Sequence, residues 1–397
     1  MSKLKNIPNL RFPEFKGDWE MKKLGEVAPL QRGFDLPVDN IKIGEFPVVF
    51  SNGILKHHNE FKAKAPGVVT GRSGTIGKVT YVEKDYWPHN TSLWVTNFND
   101  NYPKFIFYFY SKYKLERFGT GSGVPTLNRN NIHIQKEFFP SILEQQKIAS
   151  FLSAVDEKIQ QLSRKKELLS QYKKGVMQQL FSGKLRFKPA RPAGGDENGE
   201  DYEDWEEKKL GDIGETYNGL TGKTKEDFGN GKPYVQYKQI FDNSRIDISR
   251  FELVNIGADE RQKKVIFGDV FFTVSSETPN EIGTASVLLD QIDELYLNSF
   301  CFGYRANSLE LLSPYFSRYL FRSELFRNEI VKLAQGSTRY NMSKVQLMKL
   351  KIQLPCLEEQ QKIANFLSSI DAKIESTNQQ INQTQGFKKG LLQQLFV

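Results

Sequence analysis

The chain contains the same long segment twice. Residues 144–159 read EQQKIASFLSAVDEKI and residues 359–374 read EQQKIANFLSSIDAKI, a displacement of 215 positions. The match extends over 140–181 and 355–396, where 20 of 42 aligned positions are identical without a gap. Because both copies are expected to adopt the same structure, they predict internal pseudo-symmetry. Such symmetry suits a target made of two parts.

A second repeat lies upstream of the first. Residues 18–27 read DWEMKKLGEV and residues 204–213 read DWEEKKLGDI, displaced by 186 positions. Since 215 − 186 = 29, the second copy carries 29 more residues between its repeated ends. The ends agree while the interiors differ in length and sequence. This pattern is typical of duplicated modules whose repeated ends have the same structural role and whose interiors make different contacts.

Each module consists of an opening segment, a variable domain and a long helix. A stretch rich in proline, glycine and carboxylates between the modules favours a flexible tether. The predicted boundaries are 1–139 for the first variable domain, 140–184 for the first helix, 185–204 for the linker, 205–354 for the second variable domain and 355–397 for the second helix.

The variable domains are rich in strand patterns separated by turn residues. Each domain closes with an aromatic amphipathic helix that a proline opens, near 103–118 and near 314–334. The clearest strand patterns are 68–70, 78–82 and 92–96 in the first domain and 265–267, 270–274 and 286–289 in the second.

Seam residues recur at alternating steps of four and three along both long helices, which is the heptad pattern of a coiled coil. This period requires a partner helix, and the two seams of one chain suit each other as an antiparallel pair. Polar residues interrupt the seam, where helices of another subunit could cover it. Two separate amphipathic helices, each lying on its own domain, are the alternative. The seam residues are Ile148, Leu152, Val155, Ile159, Leu162, Lys166, Leu169, Lys173, Val176 and Leu180, and Ile363, Leu367, Ile370, Ile374, Thr377, Ile381, Thr384, Lys388, Leu391 and Leu395.

These patterns predict an α+β fold. Two α/β domains are separated by two long helices in an antiparallel coiled coil, with an internal pseudo-two-fold repeat. A helix of about 38 residues is roughly 57 Å long. Equivalent major-groove faces of DNA recur every ~34 Å, so such a spacer could hold two domains on one side of a duplex. The geometry suggests two half-sites separated by unread base pairs.

The charge balance favours a polyanionic partner. The formal net charge is +8 and the pI is near 9.1. Eight carboxylates fall within 196–207, so the rest of the chain is more basic still. Nucleic acid is one such partner, and a basic protein with no such role is the alternative.

Several classes are excluded by composition. Cys301 and Cys356 are the only cysteines, which excludes a disulfide framework and a cysteine metal site. The four histidines lack the spacing of metal ligands. No apolar leader segment and no run of 18 or more apolar residues occurs, so we expect a cytoplasmic protein that is neither secreted nor membrane-spanning.

Three strings imitate catalytic or nucleotide-binding motifs. Residues 118–123 (FGTGSG) imitate the glycine motif of adenosylmethionine-dependent methyltransferases, but they follow a helix pattern instead of a strand. Residues 222–224 (GKT) end like a Walker A loop, whose first glycine would have to be Tyr217, and 71–78 places Arg72 at a glycine position. Phosphate binding needs those glycines for close backbone approach. We therefore predict that the chain is not an enzyme.

The chain resembles the specificity subunit of type I restriction-modification systems. The resemblance covers essentially the whole chain, and the doubled helix start around a variable domain is its most specific part. The residues that carry it are the "W…LG" openings (Trp19, Leu24, Gly25; Trp205, Leu210, Gly211), the "GRSGTIGKV" at 71–79, and the helix starts at Pro140 with Glu144 to Ile159 and at Pro355 with Glu359 to Ile374.

This resemblance implies a function and partners. In that family two target-recognition domains each read half of a bipartite site in double-stranded DNA. The two helices form the spacer on which two methylation subunits dock, and restriction subunits join for ATP-dependent cleavage. S-adenosylmethionine, ATP and Mg are then expected only in the partner subunits, with no cofactor or metal in this chain.

The candidate DNA-binding residues lie in polar loops with small residues. Glycines let the backbone approach a groove, while Arg72 can reach guanine or a phosphate. A plain hairpin turn at 70–78 and plain helix-to-strand connections at 121–129 and 336–344 are the alternatives. The candidates are Thr70, Arg72, Ser73, Thr75, Lys78, Asn90, Ser122, Asn128, Arg129, Tyr237, Lys238, Ser275, Ser276, Ser337, Arg339 and Tyr340.

Two glycines fall inside the long helices, at Gly175 and Gly390. Glycine in a helix costs about 1 kcal/mol relative to alanine. Close approach of a partner helix would explain it, and so would fraying near the helix end. With Gln178 and Gln393 they are the candidate partner-binding residues. A coiled-coil interaction scaffold without sequence-specific DNA reading is the rival interpretation of the whole chain.

Overall fold

The computed structural model describes residues 6–121, 123–189, 201–336 and 339–397. The chain divides into two units. Unit 1 comprises Met1–Arg164 and Thr377–Val397, and unit 2 comprises Lys165–Ser376. Each unit therefore contains one variable interior and a part of each long helix.

Unit 1 is built from short strands and holds the beginning of the first long helix. Two 3-10 helices lie at Val38–Asn40 and Leu115–Phe118. The elements are β1 (Glu20–Lys23), α1 (Leu24–Val27), β2 (Leu30–Arg32), β3 (Phe46–Phe50), β4 (Gly53–His58), β5 (Gly67–Gly71), β6 (Val79–Val82), β7 (Trp87–Pro88), β8 (Ser92–Val95), α2 (Pro103–Lys112), β9 (Gly119–Thr120), β10 (Thr126–Leu127), α3 (Arg129–His133), β11 (Lys136–Phe139) and α4 (Ile142–Phe181), which continues into unit 2.

Unit 2 repeats this order with longer connections. Its 3-10 helices lie at Lys225–Asp227 and Pro279–Glu281. The elements are β12 (Glu206–Lys209), α5 (Leu210–Ile213), β13 (Gly214–Asn218), β14 (Phe228–Val235), α6 (Tyr237–Asp242), β15 (Glu252–Val254), β16 (Val270–Thr273), β17 (Ser275–Ser276), β18 (Ala285–Val287), β19 (Tyr296–Leu297), β20 (Cys301–Ala306), α7 (Pro314–Leu320), α8 (Glu324–Lys332), β21 (Tyr340–Asn341), α9 (Lys344–Leu347), β22 (Lys351–Leu354) and α10 (Leu357–Gln394), which continues into unit 1.

The sheets of the two units have the same topology. The antiparallel four-stranded sheet has the order β2-β8-β5-β6 in unit 1 and β13-β20-β16-β18 in unit 2. A three-stranded sheet follows in each, β4-β3-β7 and β15-β14-β19, and in both the last pair is parallel. The pairs β1–β11 and β12–β22 complete the match. The predicted internal repeat is therefore confirmed at the level of strand order.

The repeated "W…LG" openings have a structural role. Leu24 is buried, and its N–H donates to the carbonyl of Gln135 at 2.9 Å. A side chain at Gly25 would lie 2.9 Å from Cβ of His133, so only glycine fits this approach. In unit 2 the N–H of Leu210 donates to Leu350 in the same way, at 2.9 Å. The opening segment thus closes each unit against the strand that precedes its long helix.

A buried glutamate begins each "EQQKI" segment. In unit 1 the Glu144 carboxylate accepts Nε of Arg11 at 2.8 Å and Nε1 of Trp19 at 3.3 Å. Charge-assisted hydrogen bonds of this kind are among the strongest in proteins. They also hold the pKa of the Arg11 guanidinium above its ordinary value. The helix start is thereby tied to the opening segment of unit 1.

Unit 2 repeats this arrangement with its own residues. Glu359 is fully buried and accepts Nη2 of Arg186 at 2.9 Å and Nε1 of Trp205 at 3.0 Å. The arginine comes from the segment after α4, which was predicted as part of a flexible linker. Residues 190–200 of that linker lie outside the described residues.

The next residue of the repeat orients the aromatic helix. The side chain of Gln145 accepts the N–H of Tyr102 at 2.9 Å and donates to the carbonyl of Pro140 at 3.0 Å. Gln360 makes the same pair of bonds in unit 2, to Ser313 at 2.9 Å and Pro355 at 3.0 Å. The repeated sequence therefore encodes a repeated set of contacts.

The two long helices pack together and run antiparallel. In unit 1 Asp156 of α4 pairs with Lys388 of α10 at 2.5 Å, and in unit 2 Lys173 of α4 pairs with Asp371 of α10 at 2.5 Å. From the first pair to the second, α4 advances by 173 − 156 = 17 residues while α10 retreats by 388 − 371 = 17. This opposite progression confirms the antiparallel pairing. All of the predicted seam residues are buried or half-buried.

The ends of the long helices contribute to the cores of the units. In unit 1 Phe396, just after α10, packs against Phe105 of α2 with a ring-centroid distance of 5.2 Å. In unit 2 Phe181, the last residue of α4, meets Phe316 of α7 at 5.5 Å. These phenylalanines are the last residues of the repeated segment. Each unit is therefore completed by the end of a helix that begins in the other unit.

Three predicted elements differ from the structure. The aromatic helix expected near 103–118 ends at Lys112, and after Lys114, which has φ +45°, the chain continues as a separate 3-10 helix at Leu115–Phe118. The aromatic helix expected near 314–334 is two helices, α7 and α8, because the Ser323 hydroxyl accepts the N–H of Phe326 at 3.3 Å and begins a new helix. The strand expected at 265–267 is absent. Val265 makes a single backbone bond to Leu295, and Gly268 turns the chain with φ +90°.

Candidate nucleic-acid interface

The structure brings two separate loops of unit 1 together. The N–H of Leu127 donates to the carbonyl of Arg72 at 2.8 Å, and the N–H of Gly74 donates to Pro125 at 3.2 Å. Ser73 and Thr126 form an isolated antiparallel bridge. The candidate loops at 70–78 and 121–129 therefore form one continuous surface, which we call surface 1.

A third segment joins surface 1. The Arg72 N–H donates to Thr91 at 2.9 Å, and its guanidinium donates to the carbonyl of Asn90 at 3.5 Å. The Asn90 amide donates to Asp35, which also pairs with Arg32 at 2.8 Å. These two partners, Asn90 first, lower the pKa of Asp35. Asn90 thus lies beside Arg72.

The candidates on surface 1 differ in their exposure. Thr70 lies inside β5 with 2% of its surface exposed, so its hydroxyl does not reach the surface. Thr75 and Lys78 are exposed, and Nζ of Lys78 donates to the carbonyl of Asn52 at 2.5 Å. Asn128 caps α3 through its bond to the Asn130 N–H at 3.0 Å. Arg129, the first residue of α3, is exposed.

Unit 2 carries the corresponding surface, which we call surface 2. Strand β17 pairs with β21, so that Ser275 lies opposite Asn341 and Ser276 opposite Tyr340. The Tyr237 hydroxyl donates to the carbonyl of Ser275 at 2.9 Å. Three segments that are distant in sequence are again brought together.

The remaining candidates of unit 2 lie on or near these segments. Lys238 and Arg339 are exposed. Ser276 is buried, and its hydroxyl donates to Glu281 at 2.9 Å, so it supports the loop. Two candidates, Ser122 of unit 1 and Ser337 of unit 2, lie outside the described residues.

Backbone hydrogen bonds define which positions of the two surfaces are equivalent. Arg72 accepts the N–H of Leu127, and Val274 accepts the N–H of Met342 at 2.9 Å. Arg72 therefore corresponds to Val274, and Ser73 to Ser275. Gly77 and Gly283 also correspond, since each lies two residues before its edge strand with φ of +82° and +59°. The backbone frames match while the side chains differ.

The same bonds identify residues that the sequence patterns did not. The N–H of Arg72 donates to Thr91, and the N–H of Val274 donates to Phe300 at 3.2 Å. Phe300 therefore takes the place of Thr91 on surface 2, with 61% of its surface exposed. The equivalence of Phe300 with Thr91 follows from the strand register. The sequence alone does not give this register, because it depends on pairing between segments that are far apart in the chain.

Two half-buried arginines bind backbone carbonyls of unit 2. Arg322 donates to the carbonyls of Ala285 at 2.6 Å and Ile240 at 2.7 Å. Arg327 donates to Gly283 at 2.7 Å. Burial lowers the pKa of both guanidinium groups, that of Arg322 to about 10. These contacts hold the loop before β18 and the end of α6 in place.

The string at 222–224 does not form a phosphate site. Lys223 has 7% of its side chain exposed and forms an ion pair with Glu260. This pair lowers the pKa of Glu260 to about 2. Within 6–121, 123–189, 201–336 and 339–397 no group of three or more His, Cys, Asp or Glu side chains could hold a metal ion.

The candidate partner-binding residues lie on the outside of the helices. A side chain built at Gly175 or Gly390 would meet no atom of the described residues within 4 Å. Both lie inside continuous helices, and Gln178 and Gln393 are exposed. A pocket of about 390 Å³ lies beside Gln178, lined by Met177, Phe181 and Leu325 among others. None of the described helices is long and apolar enough to cross a membrane.

The fold and the two surfaces define a protein with two similar β-rich units on a pair of long antiparallel helices. The family described as "Type I restriction modification DNA specificity domain" matches residues 16–171 and 202–385. The chain belongs to this family. It is a specificity (S) subunit of the type I restriction-modification class, which is a non-catalytic family.

Related proteins are found in Methanocaldococcus jannaschii. The type I restriction enzyme MjaVIII specificity subunit is 29% identical over 282 residues, which cover 68% of this chain and 64% of the relative. The chain thus spans less than two thirds of this relative. The putative MjaX specificity subunit is 26% identical over 335 residues, covering 80% of this chain and 73% of the relative.

Solved structures share the fold. The S subunit of a Type-I restriction-modification system from M. genitalium superposes with a TM-score of 0.59 at 15% identity, over 98% of this chain and 99% of that chain. A chain from a study of complex assembly and conformational transition of the type I R-M system gives a TM-score of 0.55 at 17% identity, over 94% and 96%. At these identities the likeness concerns the fold.

Proposed function

We propose that this chain reads a bipartite target in double-stranded DNA, with surface 1 on one half-site and surface 2 on the other. The supporting observation is the equivalence of the surfaces: the backbone frames match, while Arg72 is replaced by Val274 and Thr91 by Phe300. A common frame with different side chains is what two unlike half-sites require.

The chemistry of surface 1 suits base and phosphate contacts. Arg72 is half-buried beside Asn90, and its guanidinium can donate two hydrogen bonds to the O6 and N7 atoms of guanine. Lys78 and Arg129 are exposed and suit phosphate contacts, which position the protein without reading sequence. Affinity should therefore fall steeply with salt, because phosphate neutralisation releases counterions.

The long helices suit a spacer. Helix α4 has 40 residues and α10 has 38. At 1.5 Å per residue these lengths are roughly 60 Å, more than one turn of DNA at ~34 Å. In the proposed complex the length of the helix pair sets the number of base pairs between the half-sites.

The exposed helix faces suit partner subunits. Gly175 with Gln178 and Gly390 with Gln393 present the same residues in both helices, and open space surrounds the glycines. Two equal faces suit two copies of one partner, which we propose to be the methylation subunits. Restriction subunits complete the complex. S-adenosylmethionine, ATP and Mg are bound by those partners.

The decisive experiment is selection of DNA from a library of randomised duplexes by the full chain in complex with its methylation subunits. We expect two short conserved blocks separated by a gap of constant length. Exchange of residues 71–78 and 90–91 for their unit 2 counterparts should change one block only.

A single continuous motif, or enrichment that is independent of sequence, would contradict the proposal. The second result would favour an interaction scaffold that lacks DNA reading. Repeating the selection at two salt concentrations separates phosphate contacts, which weaken for all sequences alike, from base contacts.

A further inference from the structure

Phe300 is an exposed aromatic residue in the turn before β20, on surface 2. Its N–H donates to the Asn298 side chain at 2.8 Å, and its carbonyl accepts the N–H of Val274 at 3.2 Å. The backbone of this residue is thus held from both sides. Its side chain is nevertheless 61% exposed. An apolar ring fixed in this way on a polar loop is available for contact with a ligand.

The equivalent position in unit 1 has the opposite character. Thr91 is half-buried, and its hydroxyl accepts the N–H of Ser51 at 3.2 Å and bonds to Nδ1 of His89 at 2.9 Å. The neighbouring equivalent positions also differ, with the cationic Arg72 in unit 1 and Val274 in unit 2. We call these two equivalent positions the centre of each surface. The centre of surface 1 (Arg72 and Thr91) is therefore polar and charged, while the centre of surface 2 (Val274 and Phe300) is apolar.

This contrast has a counterpart in the major groove. Guanine presents two hydrogen-bond acceptors there, which match an arginine, whereas thymine presents the apolar 5-methyl group. An apolar centre matches the thymine methyl and offers nothing to the polar edge of guanine. Ser275 and the exposed Asn341, which face each other across β17 and β21, supply polar groups beside this centre for adjacent base edges.

We infer that Phe300, with Val274 beside it, forms an apolar contact site for the 5-methyl group of a thymine in the half-site read by surface 2. The inference rests on the proposed function and adds the identity of one base and the residue that reads it. At the equivalent positions surface 1 has Thr91 and Arg72, and it reads guanine through Arg72 instead. The two half-sites differ at this position for that reason.

The test compares thymine with deoxyuridine, which lacks only the methyl group. The full chain in complex with its methylation subunits is titrated with its selected duplex, in which each thymine is replaced in turn. The half-site of surface 2 is identified as the one unaffected by Arg72→Ala. At one thymine of that half-site the affinity should fall by about fourfold, which corresponds to one buried methyl group.

Variants then connect this loss to the ring. Phe300→Ala should bind the thymine and deoxyuridine duplexes equally, and Phe300→Leu should retain part of the difference. Ile43→Ala, which removes a fully exposed apolar side chain of unit 1 that lies outside surface 1, should keep the full fourfold effect. The deoxyuridine series on the unmodified chain gives a result that does not depend on the folding of any variant.

The outcomes separate this inference from the proposed function. A bipartite target whose second half-site contains no thymine, or in which no thymine is sensitive to deoxyuridine, would overturn the inference and leave the proposed function standing. The same holds if Phe300→Ala keeps the fourfold difference. Absence of any bipartite target would overturn both.

Discussion

Lys173 of α4 lies 2.5 Å from Asp371 of α10, and the repeat reproduces this pair as Lys388 and Asp156, also at 2.5 Å. In each pair the aspartate also accepts a tyrosine hydroxyl, Tyr319 at 2.8 Å and Tyr108 at 2.7 Å. The lysines occupy seam positions that interrupt the apolar heptad. The lysine–aspartate ion pairs stabilise the helix pair in addition to its apolar contacts. The tyrosine–aspartate hydrogen bonds join the aromatic helix of each unit to these pairs.

Asp371→Asn should destabilise unit 2. The substitution removes the charge that accepts from Lys173 and Tyr319 and pairs with Arg318 at 3.1 Å. Loss of a partly buried hydrogen-bonded charge should cost about 1–3 kcal/mol in the free energy of unfolding. Urea denaturation measures it. Glu329→Gln, in the exposed pair with Lys332, is the matched control and should change stability by less than about 0.5 kcal/mol. Equal changes in the free energy of unfolding for the two variants would show that the contact between Lys173 and Asp371 adds nothing to stability.

Glu359→Gln should destabilise unit 2 further, because the carboxylate is fully buried and accepts from both Arg186 and Trp205. The substitution removes the buried charge partner of Arg186, which keeps only the exposed Asp204 at 3.4 Å, and such a loss typically costs about 3–5 kcal/mol for a buried pair. Glu358→Gln, one residue earlier with 60% of its side chain exposed, is the control. If both variants unfold at the same denaturant concentration, the buried carboxylate is not the anchor of the opening segment.

Arg72→Ala should reduce discrimination at one half-site only. A two-bond contact of arginine with guanine contributes about 1–3 kcal/mol of discrimination against other bases. Titration with duplexes that carry substitutions in either half-site measures this loss. Lys78→Ala provides the contrast, since a phosphate contact should weaken binding to all sequences equally. Equal losses on specific and random DNA for Arg72→Ala would count against base reading.

Acid should destabilise unit 1 through His133. Its Nε2 accepts the N–H of Leu30 at 2.8 Å, and burial, followed by the charge of Arg129, lowers its pKa. The unfolded chain therefore binds this proton more readily than the folded chain. The stabilisation is complete above the ordinary histidine pKa of about 6.5 and is lost as the pH falls from there through the lower pKa of the folded state.

The test of this prediction compares melting temperatures at pH 7.5 and 5.5, conditions that lie on either side of that pKa. The decrease should be larger for the wild type than for His133→Gln, whose side chain does not titrate. Carboxylates and His89 affect both proteins alike, so the difference isolates His133. An identical decrease in both would exclude this residue.

Removal of one heptad from each long helix should shorten the preferred gap between half-sites. Residues 163–169 of α4 and 375–381 of α10 are one heptad each, and both segments lie between the ion pairs 156–388 and 173–371. Their deletion keeps the seam continuous and shortens the helix pair by about 10 Å, or roughly three base pairs. Selection on randomised duplexes measures the gap. Deletion from α4 alone is the control and should disrupt pairing. An unchanged gap in the double deletion would refute the role of the helices as a ruler.

The sequence correctly predicted the internal duplication and the two long helices of this protein. The displacement of 215 residues and the heptad pattern were sufficient for two long antiparallel helices, since periodicity and repetition are properties of the chain itself. Local signals were weaker in the interiors. The Ser323 cap divides a stretch that appears continuous by its apolar pattern, and residues 265–267 have the composition of a strand but no strand to pair with.

The candidate DNA-binding residues show the same division. Arg72 and Arg129 could be selected because the glycine-containing polar loops at 70–78 and 121–129 are visible in the sequence. Phe300 and Val274 could not, because their equivalence to Thr91 and Arg72 follows from backbone bonds between segments far apart in the chain. The predicted Thr70 hydroxyl is covered by its strand, which only the packing of the sheet determines.

The amino-acid sequence by itself therefore determined the duplication, the helical spacer and the family resemblance, because these depend on spacing along one chain. Tertiary structure alone decided which side chains share a surface and which polar groups are buried. Helix pairing brings together residues about 200 positions apart or more, such as Lys173 with Asp371 (371 − 173 = 198) and Asp156 with Lys388 (388 − 156 = 232). Such pairings leave no local pattern, since they depend on the combined packing of many distant residues.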